Sequence, residues 1–373
     1  MTFRMLVILA IALLVVVELY LAYHVRKLPG INRIESRKKR IIISLIIISV
    51  LFLLAALKFR LIFGIFAYAG MLFVVFDLLR LILKKVIKNE DTKKKLSRIY
   101  MGGLWVIIAA VIVSVYGWFN AHNYQIVSYD VSIEKEMDRE LKIVLITDTH
   151  MGTSVDAGDL QKIVDLSNSC EPDIVLLGGD IFDEGTSDEL FDESFGILAG
   201  LKSTYGTYYI YGNHDDGYHD KSSNRVKEIE DRFEAAGITV LVDEAVEIDG
   251  SFYLIGRSDP GTQKRAGEPM ATVKELYKGL DLSKPVFVLN HKPVDIEEES
   301  ECGADLFMAG HTHNGQMWPY NYLVKYFSSN EVVAGEKTFG NTTAITSIGA
   351  GTWMIPVKTT GPSEISFITV KGK

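Results

Sequence analysis

Residues 142–150 read KIVLITDTH: a lysine, five apolar or β-branched residues, then Asp148, Thr149 and His150. A short continuous apolar run of this kind reads as a buried β-strand. A carboxylate and an imidazole follow it directly, two residues apart. The arrangement recurs along the chain. DIVLLG (173–178) runs into Gly179, Asp180, Ile181, Phe182 and Asp183, and TYYIYG (207–212) into Asn213, His214 and Asp215. PVFVLN (285–290) runs into His291, Lys292 and Pro293, and ADLFMAG (304–310) into His311, Thr312 and His313. Residues 159–168 and 221–236 carry helix-like spacing between some of these runs. Alternating strands and helices predict an α/β, layered fold. In open α/β sheets, ligands bind at the C-terminal ends of the strands, where these polar residues fall.

The residue types carry chemical content. In Asp-x-His and His-x-His, side chains i and i+2 point the same way if the backbone stays extended, so each pair can grip metal ions. The adjoining glycines allow sharp turns off the strand. The donors are imidazole nitrogens, carboxylates and an amide oxygen, without a thiolate nearby. That set suits Mn, Fe or Zn in a catalytic site better than a structural zinc. Each element alone is weak: GNHD could be a simple turn, and GHTH a surface loop. Jointly they are not, because five of the eight histidines occupy these post-strand positions.

The other end of the 373-residue chain reads differently. Residues 1–124 hold 18 of the 39 Lys+Arg and 5 of the 47 Asp+Glu, leaving 21 basic and 42 acidic residues in the remainder. A basic, apolar part followed by an acidic, polar part suggests two solvents. The acidic part would repel a polyanion, so nucleic acid is not an expected partner. Four apolar runs, 5–23, 41–57, 61–83 and 99–119, each fit a membrane-spanning helix. Seven Lys/Arg between Arg26 and Arg40, and seven between Lys84 and Arg98, mark the first and third loops as cytoplasmic. Both termini and the acidic domain then lie outside. A cleaved signal peptide is the alternative for the first run, but its n-region carries only Arg4 and the run is long for an h-region. Within the runs, Asp77 and Arg80 are placed to pair on one helix face, and Glu18 supports no mechanism. Cys170 and Cys302 cannot make a disulfide scaffold and read as buried free thiols, with a single bridge between them left open.

The ordered set DTH, GDIFD, GNHD, NHKP and GHTH resembles the calcineurin-like metallophosphoesterase superfamily over roughly residues 140–355. The closing GHTHNGQ is similar to the GHTHGGQ of a bacterial, membrane-attached branch, with Asn314 departing from it. Two domains are therefore expected: four transmembrane helices over 1–123, read from the apolar runs and more than the anchor of that branch requires, then over 124–373 the β-sandwich of two mixed sheets flanked by helices that the resemblance implies. ITSIGAGTW (345–353) and EISFITV (364–370) would complete the second sheet. It implies that Asp148, His150 and His313 bind one divalent metal, that Asn213, His291 and His311 bind another, and that Asp180 bridges both. His214 would be a general acid, oriented by Asp183. Arg257 and Asp259, in IGRSDPG, resemble a family loop near the metals, and phosphate binding by Arg257 is plausible. Lys292 and Gln316 adjoin ligands, Asp215 would brace its loop, and His219 reads as a loop residue.

The expected activity is therefore hydrolysis of a phosphate ester or phosphoanhydride. The expected substrate is a phosphorylated small molecule or a lipid-linked one, with membrane lipid as a neighbour. The alternative from another class is a non-catalytic membrane receptor or scaffold that binds metal or phosphate.

Overall fold

The computed structural model describes residues 15–57, 60–99, 103–215, 223–266 and 269–373. The chain divides into two compact units, Met1–Trp118 and Phe119–Lys373.

The first unit is helical. Its described elements are α1 (Val15–Val25), α2 (Arg37–Leu57), α3 (Leu61–Val86), α4 (Glu90–Ile99) and α5 (Leu104–Ala121), the last running three residues into the second unit. Among the described residues, three segments are long and apolar enough to cross a membrane: Arg37–Ala56, Leu61–Leu83 and Leu104–Ala121. The described part of the first predicted run is a shorter apolar helix, and residues 5–14 of that run lie outside the described residues. α4 was not anticipated. It occupies the basic third loop, where Asn89 Oδ1 accepts from the amides of Asp91 (2.9 Å) and Thr92 (3.1 Å) and so starts the helix. Asp77, expected to pair with Arg80, accepts from the Tyr20 hydroxyl at 3.1 Å and lies 3.2 Å from His24 Nε2. His24 is fully buried and stacked on Phe73, and Glu18 accepts from Ser49.

The second unit holds two six-stranded mixed sheets. The first runs in the order β1 (Tyr124–Ser132), β12 (Ser363–Lys371), β2 (Leu141–Ile146), β3 (Ile174–Leu177), β4 (Thr207–Tyr209), β5 (Ile238–Val240). The second runs β10 (Gly335–Phe339), β11 (Thr342–Thr346), β9 (Leu306–Ala309), β8 (Val286–Asn290), β7 (Phe252–Arg257), β6 (Glu244–Ile248). β2 to β5 are mutually parallel, as are β7, β8, β9 and β11. The expectation that both tail segments complete the second sheet holds for β11 but not for β12. β12 lies in the first sheet, parallel to β1 and antiparallel to β2. β1 had no apolar run to betray it, because most of its side chains are exposed or half-exposed. Without β1, the second neighbour of β12 could not be foreseen.

The strand runs are continuously apolar because both of their faces are buried. Along β2, Ile143 and Leu145 point into a cluster shared with Leu254, Phe287, Leu289 and Met308 of the other sheet. The alternate residues Val144 and Ile146 pack outward with Leu160, Ile163 and Phe233 of the covering helices α6 (Ala157–Ser169) and α8 (Ser223–Ala235). The next helices are α9 (Pro260–Ala266), α10 (Val273–Leu276) and α11 (Ile296–Cys302), and Val288 and Phe307 do the same on the second sheet against Val273 of α10, Tyr277 and Ile296 of α11. Each fully buried side chain of this kind contributes about 1.5–3 kcal/mol. Local signals agree with the packing: Asp156 caps α6, and Ser187 caps α7 (Asp188–Leu198). The parallel strands bring their polar C-terminal continuations together.

Candidate metal centre

Each ligand-bearing loop begins where a strand stops. β2 delivers Asp148 and His150, β3 delivers Asp180, β4 delivers Asn213 and His214, β8 delivers His291, and β9 delivers His311 and His313. The extended backbone assumed for the Asp-x-His and His-x-His pairs is not what the structure contains. Asp148 (φ 56°), His150 (43°), Asp180 (52°), His311 (71°) and His313 (48°) are all left-handed. Such a conformation costs about 1–3 kcal/mol per non-glycine residue and persists only where the surroundings enforce it. Here the enforcement is mutual. The Asp148 amide donates to Gly179 O (3.0 Å), the His150 amide to Asp180 O (3.1 Å), and the Gly351 amide to Asp148 O (2.9 Å). The Asp148 carboxylate accepts from the His311 amide (2.9 Å) and the Thr147 hydroxyl (2.8 Å). Two glycines permit the close approach: a Cβ on Gly212 would collide with Asp180, and one on Gly310 with the Asp148 carboxylate.

Six side chains form two clusters, Asp148–His150–His313 and Asp180–His291–His311, with ligand atoms within 4.8 Å of one another in each. His150 Nε2 is 3.1 Å from His313 Nε2, and His313 Nε2 is 3.5 Å from Asp148 Oδ1. His291 Nε2 is 3.1 Å from Asp180 Oδ2 and 3.2 Å from His311 Nδ1. His291 Nδ1 faces Gly178 O at 2.9 Å, which fixes the ring and directs Nε2 inward. Asp180 also lies 3.7 Å from His150 Nε2, so it touches both clusters.

Burial pushes the Asp148 carboxyl above the usual carboxylate range. Burial acts on Asp180 too, but His291 and His150 outweigh it and hold that carboxyl well below the range. Burial lowers His291, yet the neighbouring Asp180 carries it up to about 10. Burial and then His291 drive His311 down to about 3, and burial with His150 drives His313 well below the ordinary imidazole value. His311 and His313, held neutral, therefore face His291 and His150 nitrogen to nitrogen, beside carboxylates. A divalent cation fits this donor set of nitrogen and oxygen.

His214 stands at the rim. Its amide donates to Asp180 Oδ1 (2.8 Å), and its ring centroid is 5.4 Å from that of His150. The carboxylate on the ring is that of Glu184, 3.0 Å from Nδ1. Burial lowers the His214 pKa, but Glu184 and Asp180 more than offset it, leaving a net rise. Sequence reading assigned the orienting role to Asp183. That side chain accepts from the Gly185 amide (2.6 Å) and lies 3.4 Å from His150 Nδ1, and its charge also raises the His214 pKa. Asp215 braces the loops as expected: its carboxylate accepts from the amides of Asp180 (2.7 Å), Gly212 (2.7 Å) and Phe182 (3.0 Å).

Other sequence candidates have structural employment. Arg257 is buried against Asp243 (3.1 Å), Glu299 (3.0 Å) and Ala271 O (3.2 Å), which leaves it committed to the fold rather than to phosphate. Lys292 pairs with Asp259. Gln316 donates to Ile355 O (2.9 Å) and accepts from the Trp353 amide (2.9 Å). His219 lies outside the described residues. Cys170 and Cys302 are free thiols, half-buried rather than buried. Lys358 was missed. Its buried ammonium donates to Gly349 O (2.6 Å) and Gly351 O (3.3 Å), fixing the loop that closes on Asp148. A lone lysine far from any motif gives no warning of this.

Residues 141–315 match the family profile of the calcineurin-like phosphoesterases. The chain carries a domain of that family. An uncharacterized metallophosphoesterase of Helicobacter pylori is 35% identical over 64% of this chain and 62% of its own length. A transmembrane protein with metallophosphoesterase domain from Danio rerio is 29% identical, over 72% of this chain and 62% of that protein. Phosphodiesterase YaeI of Escherichia coli is 27% identical over 63% and 82%. The chain thus spans a little under two thirds of the first of these relatives.

Proposed function

We propose that the protein is a membrane-anchored, metal-dependent hydrolase of phosphate ester or phosphoanhydride bonds, with four membrane-spanning helices and the catalytic domain outside the cytoplasmic membrane. The observation that carries the reading is the meeting of two buried metal-competent clusters at the ends of strands from both sheets, with one carboxylate, Asp180, in reach of both. Asp148, His150 and His313 would hold one divalent ion, Asn213, His291 and His311 another, and Asp180 would bridge them. Bound ions supply charge neutralisation for the phosphoryl oxygens and a lowered pKa for water.

The chain's own residues do the rest. The left-handed loops fix five of the six donors before substrate arrives, so little reorganisation is needed during reaction. One water is consumed and one P–O bond breaks, and the leaving oxygen needs a proton. His214 stands where it could give one, with Glu184 on Nδ1 favouring the imidazolium and leaving Nε2 to donate. Asp215 ties the Asp180 and Gly212 loops into one piece. A relative named a phosphodiesterase supports the reaction class, and relatives named transmembrane proteins support the anchoring.

The test is the full chain purified in mild detergent, supplied with Mn²⁺ and assayed on bis(p-nitrophenyl) phosphate. Turnover with about two metal ions per chain is expected. Absence of bound metal, or an Asp180→Ala variant as active as wild type, would overturn the reading. An alkaline phosphatase fused after Lys373 should be active, and an inactive fusion would reverse the membrane orientation.

A further inference from the structure

The segment that follows His313 turns its apolar side chains outward. α12 (Tyr320–Phe327) contains no buried residue. Tyr322 (51% exposed), Leu323 (52%), Tyr326 (73%) and Phe327 (81%) sit at spacings of three and four, and so form one face. Trp318, just before the helix, is also exposed, as are Trp353 and Met354 on a neighbouring turn. That turn is held by Gln316, which bonds to both sides of Trp353. The Trp353 ring centroid is 5.4 Å from that of His214. The aromatic surface therefore starts at the metal centre's rim and continues along the helix. A folded domain rarely leaves so many large apolar side chains together without a partner.

The chemistry of the patch identifies the partner. Tyrosine and tryptophan, with an apolar body and a polar tip, are the residues that settle at the headgroup level of a bilayer. Residues 314–330 and 337–363 contain no Asp or Glu, while the exposed Lys325 and Lys337 lie within them. This gap falls in a region, 125–373, whose acidic residues outnumber the basic by 42 to 21. Local loss of negative charge complements an anionic lipid surface. Only two residues separate the end of α5 from β1, so a domain tethered through α5 works close to the bilayer that α5 enters.

We infer that the face of α12, together with Trp353 and Met354, docks on the lipid bilayer, and that the substrate is an amphiphilic phosphoester whose phosphate is presented there at headgroup depth. The substrate half of this inference rests on the hydrolase reading above; the docking half does not.

The chain has four tryptophans, of which Trp105 and Trp118 lie in α5. In a full-length Trp105→Phe, Trp118→Phe variant, the remaining emission comes from Trp318 and Trp353. Reconstituted into phosphatidylglycerol-containing vesicles, this variant should lose about half of that emission or more when brominated phospholipid replaces ordinary lipid. Adding Tyr326→Ser and Phe327→Ser should abolish the quenching. The same double change in wild-type background should slow hydrolysis of a phospholipid in the vesicle about tenfold while leaving bis(p-nitrophenyl) phosphate turnover unchanged. Unquenched emission from an enzyme that hydrolyses the soluble ester overturns the docking, and a Phe327→Cys chain that cross-links to a second copy assigns the face to self-association. Quenching with active turnover of the soluble ester but an unaltered lipid rate in the double variant overturns the substrate class. Quenching without turnover of either ester overturns the hydrolase reading and keeps the docking.

Discussion

Arg257 and His150 are both almost sealed from solvent and both sit among carboxylates, yet their surroundings differ in kind. Around Arg257, donors and acceptors match. The guanidinium meets Asp243, Glu299 and a carbonyl, and the second Glu299 oxygen takes the Tyr277 hydroxyl at 2.7 Å. Around His150 they do not match. Its Nε2 faces Nε2 of His313, an imidazole that burial holds neutral, at 3.1 Å, with Asp180 3.7 Å away. A buried polar cluster that satisfies itself is scaffolding, whereas one that needs an outside cation is a site.

The sharpest break between the two is Asp180→Ala. It removes a carboxylate in reach of both ligand clusters, and it should lower kcat/KM on bis(p-nitrophenyl) phosphate by about 10³-fold or more, the worth of several kcal/mol of charge stabilisation. Arg257→Ala should do the reverse. It strands Asp243 and Glu299 in the interior and should cost about 3–5 kcal/mol of stability, read by near-UV circular dichroism on heating. Its folded fraction should keep the wild-type kcat. If Arg257→Ala instead folds normally and loses KM for phosphate, Arg257 belongs to the site and the contrast fails.

Chelation reads the same contrast through stability as well as rate. Removing metal should abolish turnover and destabilise the second unit by about 2.7 kcal/mol for each ion bound at a hundredfold excess over Kd. Mn²⁺ or Zn²⁺ should restore both. A melting temperature indifferent to chelator would mean that the His150 cluster satisfies itself after all.

These contrasts also show why only part of the molecule was legible in the sequence. The strands β2, β3, β4, β8 and β9 announced themselves because burial on both faces makes a strand continuously apolar, and their ligands stood at the next position. β1 did not, since an exposed edge strand leaves no such run, and with it went the placement of β12. The left-handed ligand loops were also hidden, because their conformation is imposed by bonds between loops distant in sequence, such as His150 to Asp180. Arg257 looked like a phosphate ligand because a post-strand arginine carries the same letter whether it faces a site or a salt bridge. Likewise, Asp77 meets Tyr20 and His24 on another helix, contacts that spacing within one helix cannot reveal.

The finest test concerns Asp183 and Glu184, adjacent carboxylates that face different histidines, His150 at 3.4 Å and His214 at 3.0 Å. If Glu184 supports proton donation by His214, Glu184→Gln should matter only when the leaving oxygen needs a proton. Turnover of an alkyl phosphodiester should fall about tenfold, while bis(p-nitrophenyl) phosphate, whose leaving group departs as a stable anion, should be nearly unaffected. Asp183→Asn should show the opposite signature. By loosening the orientation of His150 it should weaken metal affinity about tenfold, for either ester alike, and excess metal should recover the rate. Leaving-group dependence in Asp183→Asn and metal dependence in Glu184→Gln would exchange the two roles, and would mean that the 183–186 turn refolds when the metals bind.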